Sequence, residues 1–268
     1  MSLILKNLNV EINKKLILKN INFSIEPNDV VLILGPNGHG KSTLLKSIMK
    51  HYDTNIVSGE LIINNKNANE WSTDQIAKEG IYLATQYPVE IPGLGMLELI
   101  RNEASKTDEK LSIMELYKLV NNKMKNLHMS PELLNRNINE NFSGGERKKS
   151  EILQMQILNP QYILLDEIDS GLDVDAINVI SEALLEEKNK GKAIAYISHD
   201  NKLFNTLKPN KTILIMNGEI VKVGDFSLAE QIYQMGYTNF AKQNNIKLES
   251  SEDDFLKGTN KGFACGSK

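Results

Sequence analysis

Nine consecutive residues, Gly35-Pro36-Asn37-Gly38-His39-Gly40-Lys41-Ser42-Thr43, carry the densest chemistry in the chain. They fit G-x-x-x-x-G-K-[ST], a loop whose backbone N–H groups cradle phosphate oxygens. The glycines at 35, 38 and 40 let the backbone curl, so that the N–H groups of the run from Gly35 through Asn37 to Thr43 can converge on an anion. Lys41 would bridge β- and γ-phosphates, and the Ser42 hydroxyl suits Mg²⁺. Far along the chain, Tyr162-Ile163-Leu164-Leu165 runs into Asp166-Glu167. Asp166 would hold Mg²⁺, directly or through water, opposite Ser42. Glu167, one residue on, could orient or deprotonate an attacking water. Two further polar groups end apolar runs, Gln86 after Ile81-Tyr82-Leu83-Ala84-Thr85 and His199 after Ala193-Ile194-Ala195-Tyr196-Ile197-Ser198. A lone His at a strand end is ordinarily structural; its place relative to Glu167 is what raises a functional reading.

These side chains need strands to aim them. Asp29-Val30-Val31-Leu32-Ile33-Leu34 reads as a buried parallel strand feeding the loop, and Thr43 to Met49 as the first turns of an amphipathic helix. Open α/β sheets bind ligands at the carboxyl ends of such strands. Before the loop, Leu3-Ile4-Leu5, Leu8 to Ile12 and Ile21 to Ile25 are three short β-rich runs, the last two alternating as half-exposed antiparallel strands do. Gly59 to Asn64 returns as another strand. From Gly93 to about Pro160 strand signals vanish and helical spacing takes over, in Leu97 to Ile100, Ile113 to Val120 and Glu146 to Leu158. Later, Asp175 to Leu185 reads as a helix with an acidic first turn. Asn217-Gly218 between two apolar runs is a type I′ hairpin signal, and a helix follows around Leu228 to Met235. From Lys242 onward the chain reads as a polar, mobile tail containing Cys265.

Composition narrows the classes. A chain of 268 residues suits one large α/β domain. A net charge of −3 and pI near 5.9 give no basic field for nucleic acid. No apolar run is long enough to span a membrane, so direct insertion is not expected. The start, Met1 to Lys6, does not read as a signal peptide. A single Cys excludes an intrachain disulfide and fits a reducing, cytoplasmic compartment. With one Cys and four His, no Cys/His metal cluster is expected.

Phe142-Ser143-Gly144-Gly145-Glu146 resembles the LSGGQ signature of ATP-binding-cassette (ABC) ATPases. In that resemblance Gln86 falls at the Q-loop, Ser170 to Asp173 at the D-loop and His199 at the switch histidine. It implies an α/β P-loop ATPase fold with an antiparallel β layer and a helical subdomain. The domain would span 1–241, with its core in 1–92 and 161–241, the helical subdomain in 93–160 and a flexible tail in 242–268. It further implies ATP and Mg²⁺, with Gln86 at the metal and in catalysis beside Glu167 and His199. An ATP-dependent homodimer would cap each ATP with Ser143 and Gly145 of the opposite subunit. Gln86-Tyr87-Pro88-Val89-Glu90-Ile91-Pro92-Gly93, Glu146-Arg147-Lys148-Lys149, Asp166 to Asp173, Ile220 to Phe226 and Gly236-Tyr237 are similar to the SufC family of iron–sulfur cluster assembly ATPases. That resemblance implies a SufB–SufD scaffold as partner. One departure is that Val10 to Leu18 has no aromatic residue to stack on adenine, so weak base selectivity is expected.

Two other readings share the fold. A membrane transporter's nucleotide-binding subunit would lack the Tyr87-to-Gly93 run and would ordinarily carry that aromatic. An ABC protein acting on DNA or ribosomes calls for a coiled-coil insertion, a second cassette or a basic surface, and the sequence has none of these.

Overall fold

The computed structural model describes residues 2–104 and 112–246. In order they form β1 (Leu3–Ile12), β2 (Lys15–Ile25), β3 (Val30–Leu34), α1 (Lys41–Ile48), β4 (Asn55–Ile63), β5 (Lys66–Asn67), α2 (Thr73–Lys78), β6 (Ile81–Ala84) and β7 (Ile91–Gly95). There follow α3 (Met96–Ala104), α4 (Ile113–Asn126), β8 (Asn137–Ile138), α5 (Gly144–Leu158), β9 (Tyr162–Asp166), α6 (Val174–Asn189) and β10 (Ala193–Ile197). The last elements are α7 (Asn201–Leu207), β11 (Lys211–Met216), β12 (Glu219–Gly224) and α8 (Phe226–Gln243).

The central sheet has the order β12-β11-β3-β10-β9-β6 and is parallel except for β12, which closes the edge as a hairpin with β11. Strands β3, β9 and β10 are buried at every position, which is why they read as unbroken apolar runs. Alternate residues of one strand enter two different cores. Val30, Leu32 and Leu34 face α5, α6 and α8, whereas Val31 and Ile33 face α1 and the antiparallel sheet β2-β1-β4-β5. Helix α1 is thus held between two sheets by Leu44, Leu45 and Ile48.

The hairpin forms as expected, with Asn217 at φ 54° and Gly218 at φ 80°. Four expectations change. The three β runs at the start are two long strands, kept continuous by bulges where Asn7 (φ 47°) and Asn20 (φ 49°) turn left-handed. Strand structure does not vanish after residue 93, because β7 and β8 pair across the helical stretch at Ile91↔Ile138. Helices α2 and α7 were not foreseen. Finally, α8 continues to Gln243, past the expected start of the tail, and Ile246 N–H still bonds back to the Ala241 carbonyl. The rest of that tail, including Cys265, lies outside the described residues.

The consequence for function is simple. In the order β3-β10-β9-β6, four neighbouring parallel strands end at one edge, and each delivers polar residues there.

Candidate nucleotide-phosphate site

At the end of β3 the chain turns at Gly35, which is buried at φ +151°; a Cβ there would lie 2.1 Å from the Ile215 carbonyl oxygen of β11. Only glycine fits that approach. Gly40 then caps α1 in a left-handed conformation at φ 101°. Between them the Asn217 N–H donates to His39 Nδ1 at 2.9 Å, so the β11–β12 turn braces the loop. Lys41 is buried, and its ammonium donates to the carbonyls of Gly35 (2.8 Å) and Pro36 (3.1 Å). Burial pulls the Lys41 pKa down, while the nearby carboxylates of Glu167 and Asp166 oppose that pull.

Strand β9 ends beside this loop. Ser42 Oγ donates to Asp166 Oδ1 at 2.8 Å, the juxtaposition expected of two groups sharing one cation. Burial raises the Asp166 pKa; the Ser42 hydrogen bond works against that and the Glu167 charge adds to it. Glu167 has a left-handed φ of 48°, which a non-glycine residue adopts only when its surroundings hold it there. Its N–H donates to the Ile197 carbonyl of β10 at 3.1 Å. Gln86 Nε2 donates to Glu167 Oε2 at 2.6 Å, and His199 Nε2 lies 3.8 Å from Glu167 Oε1 with its side chain 47 % exposed. Asn37, Gly38, Gly40, Lys41, Ser42 and Thr43, together with Gln86 and Glu167, line a cavity of about 320 Å³.

The remaining sequence-selected residues sit elsewhere. Gly35 is beneath the loop as a carbonyl acceptor and does not line the cavity, nor does Asp166, which reaches it through Ser42. Ser143 and Gly145 are at the start of α5, also away from the cavity lining. Ser143 is the N-cap: its hydroxyl accepts from Glu146 N–H at 3.3 Å while Glu146 Oε2 accepts from Ser143 N–H at 2.8 Å. Ser143 and Gly144 are exposed at that helix N-terminus.

Sequence reasoning missed Lys148 and Glu151 as parts of the site's support. Lys148 is only 6 % exposed, and its ammonium donates to the Gln86 carbonyl and, at 3.2 Å, to the Glu167 carbonyl. Glu151, one turn further along α5, accepts from the Tyr82 hydroxyl at 3.4 Å. Lys148 figured only in the Glu146-Arg147-Lys148-Lys149 resemblance, without a role, and helical spacing places it and Glu151 on one face of α5.

Mg²⁺ fits these donors. Ser42 and Asp166 offer a hydroxyl and a carboxylate oxygen already together, and hard cations take such oxygens. Among the described residues no group of three or more His, Cys, Asp and Glu side chains could hold a metal alone. No helix among those residues is long and apolar enough to cross a membrane.

The profile of the ABC transporter family matches residues 18–170. A probable ABC transporter ATP-binding protein of Streptococcus pyogenes serotype M3 is 39 % identical over 248 residues, covering 91 % of this chain and 97 % of its own. A probable ATP-dependent transporter, ycf16, of Cyanophora paradoxa is 38 % identical, covering 87 % of this chain and 92 % of its own. The ATP-binding cassette MJ0796, solved as a dimer in a post-hydrolysis state bound to ADP and Pi, superposes with a TM-score of 0.71 at 26 % identity, covering 84 % of this chain and 98 % of its own. This chain belongs to the ABC transporter family as its ATP-hydrolysing domain. It is an ATPase with the P-loop α/β fold of that family.

Proposed function

We propose that the chain is the ATP-hydrolysing subunit of a Suf-type iron–sulfur cluster assembly complex, closing in ATP-dependent pairs and thereby reshaping a SufB–SufD scaffold. The observation that carries this reading is the segment after Gln86. Its resemblance to the SufC family is joined by an exposed apolar face, with Tyr87 78 % and Val89 71 % exposed. The segment is tied to α5 by the Arg147–Glu90 ion pair, and to the turn between β8 and α5 by Asn139 Nδ2 donating to the Val89 carbonyl at 2.9 Å. A partner gripping Tyr87 and Val89 would thus act on Gln86 and on the signature helix together. A second reading, the nucleotide-binding subunit of a membrane transporter, is favoured by the names of the relatives above. Purification of the tagged chain from its native lysate separates the two. A soluble scaffold pair supports cluster assembly, and an integral membrane protein overturns it.

In either assembly the chemistry falls to the same residues. The backbone of Gly38, Gly40 and their neighbours would receive the phosphates at the N-terminus of α1. Two of the three Lys41 donors hold the loop, and the third would serve a β/γ-phosphate oxygen. Ser42 and Asp166, with Gln86, would hold Mg²⁺, which when bound neutralises developing phosphate charge. Glu167 would take the proton of the attacking water, with Gln86 and His199 orienting that carboxylate and the γ-phosphate. Ser143 and the N–H groups beside it would supply the final donors from a second copy.

A further inference from the structure

None of the roles above uses α8, yet this helix touches the end of β10 from behind. Ser198 and His199 are held on one side by Asp169, whose Oδ2 accepts from Ser198 Oγ at 3.0 Å and from His199 N–H at 3.3 Å. On the other side the Tyr233 hydroxyl of α8 donates to the Ser198 carbonyl at 3.3 Å. Burial keeps that phenol protonated and therefore a donor. The same ring lies against Phe204 of α7, the helix that leads away from His199, with centroids 5.2 Å apart. Phe226, at the start of α8, stacks on Phe204 at 4.3 Å and 7°. One turn beyond Tyr233 the helix breaks its regular geometry at Gly236 (φ 74°, ψ 159°).

We infer that α8 is a brace for the ATP site, in which Tyr233 is a positioning residue for His199. The inference rests on the reading of His199 given above. Tyr233 holds the Ser198 carbonyl from one side while Asp169 holds Ser198 and the His199 N–H from the other, so the backbone that aims the imidazole at Glu167 is fixed between them. A partner that displaced α8 would therefore slow hydrolysis without entering the cavity.

Steady-state hydrolysis of Mg·ATP by the full chain tests this, using Tyr233→Phe, His199→Ala and the Tyr233→Phe/His199→Ala pair. Phenylalanine keeps the ring packed against Phe204, so the melting temperature should stay near wild type. Loss of one neutral hydrogen bond should lower kcat of Tyr233→Phe by about two- to tenfold at unchanged KM. In the His199→Ala background Tyr233→Phe should cost nothing further, a result that a merely structural role would not give. Wild-type kcat in Tyr233→Phe, or an undiminished effect without His199, overturns the Tyr233 assignment. If His199→Ala alone turns over normally, the underlying reading of His199 has failed, and the Tyr233 assignment falls with it.

Discussion

The end of the central sheet and the start of α5 are both polar, but they are polar in different ways. At the sheet edge the groups are partnered with one another across elements: Ser42 with Asp166, Gln86 with Glu167, Lys41 with two loop carbonyls. Those side chains are held before any substrate arrives, as electrostatic preorganisation requires. The start of α5 is satisfied only by its own capping box, and Ser143 faces solvent. One region is a built half-site; the other, on the function proposed above, is a set of donors for a second copy. On that reading the difference would account for one chain binding nucleotide and yet needing a second to finish the cage.

The largest effect should come from within the built half. Glu167→Gln keeps the Gln86 contact geometry but removes the base, so turnover should fall by roughly 10²- to 10⁴-fold. Affinity for ATP should change little, and ATP should hold this variant as a dimer while wild type cycles back to monomers. Sedimentation with and without Mg·ATP, beside turnover, checks both; a monomeric Glu167→Gln with ATP bound would break the division between the halves. Next in size, Lys41→Ala removes a charged donor worth about 1.5–3 kcal/mol. Its Mg·ATP affinity should drop about 10- to 150-fold with the circular-dichroism spectrum unchanged. Wild-type binding in a titration would remove Lys41 from the site.

How legible each region was follows from the range of the interactions that make it. The loop from Gly35 to Thr43 and the run into Asp166-Glu167 were readable because their geometry is set locally, by glycine φ angles and by strands buried on both faces. The Asn217-Gly218 turn was readable for the same reason. Lys148 was not, since a lysine on a helix reads as solvated until the Gln86 and Glu167 carbonyls are brought over it by tertiary packing. Strands β7 and β8 escaped notice because Ile91 and Ile138 are each other's only periodic signal. The bulges at Asn7 and Asn20 looked like strand breaks because left-handed asparagines interrupt alternation without interrupting pairing. Tyr233 carried no signal beyond its place in the expected helix around Leu228 to Met235; its hydroxyl contact appears only once α8 packs behind the end of β10.

Helix α5 belongs to both regions, and its middle offers the third test. Burial raises the Glu151 carboxyl from 4.5 to about 7, against the lowering effect of Tyr82, Lys148 and Thr85. The folded state therefore keeps a proton that the unfolded state has lost, and stability falls as pH rises from about 4.5 to about 7 before levelling. That shift corresponds to ~3 kcal/mol, which the partial exposure of the side chain reduces to nearer ~2. Glu151→Gln keeps an acceptor for Tyr82 without the charge. It should be more stable than wild type at pH 8 and nearly equal to it at pH 4.5. Chemical denaturation at the two pH values reads this, and a pH-independent difference would count against a buried carboxylate behind the Gln86 loop.

The smallest effect is the one that most sharpens the comparison. Ser143→Ala removes the N-cap acceptor of α5, and caps of this kind are worth about 1 kcal/mol. In a single chain that cost should appear only as a slightly lower denaturation midpoint, because Ser143 lines none of the cavity. Mg·ATP affinity of the monomer should match wild type. Two copies meeting head to tail would lose a hydroxyl donor to the γ-phosphate in each of two sites, and the weakened helix start would hold its N–H groups less firmly. ATP-dependent dimerisation should then weaken by about fivefold or more per site. The two halves are thus separated by one substitution that spares binding and impairs closure. A Ser143→Ala chain with reduced monomer affinity would place Ser143 at its own chain's nucleotide, and the built half-site would have to include the start of α5. Unimpaired closure would mean that the backbone N–H groups alone complete the cage and that the serine serves the helix only.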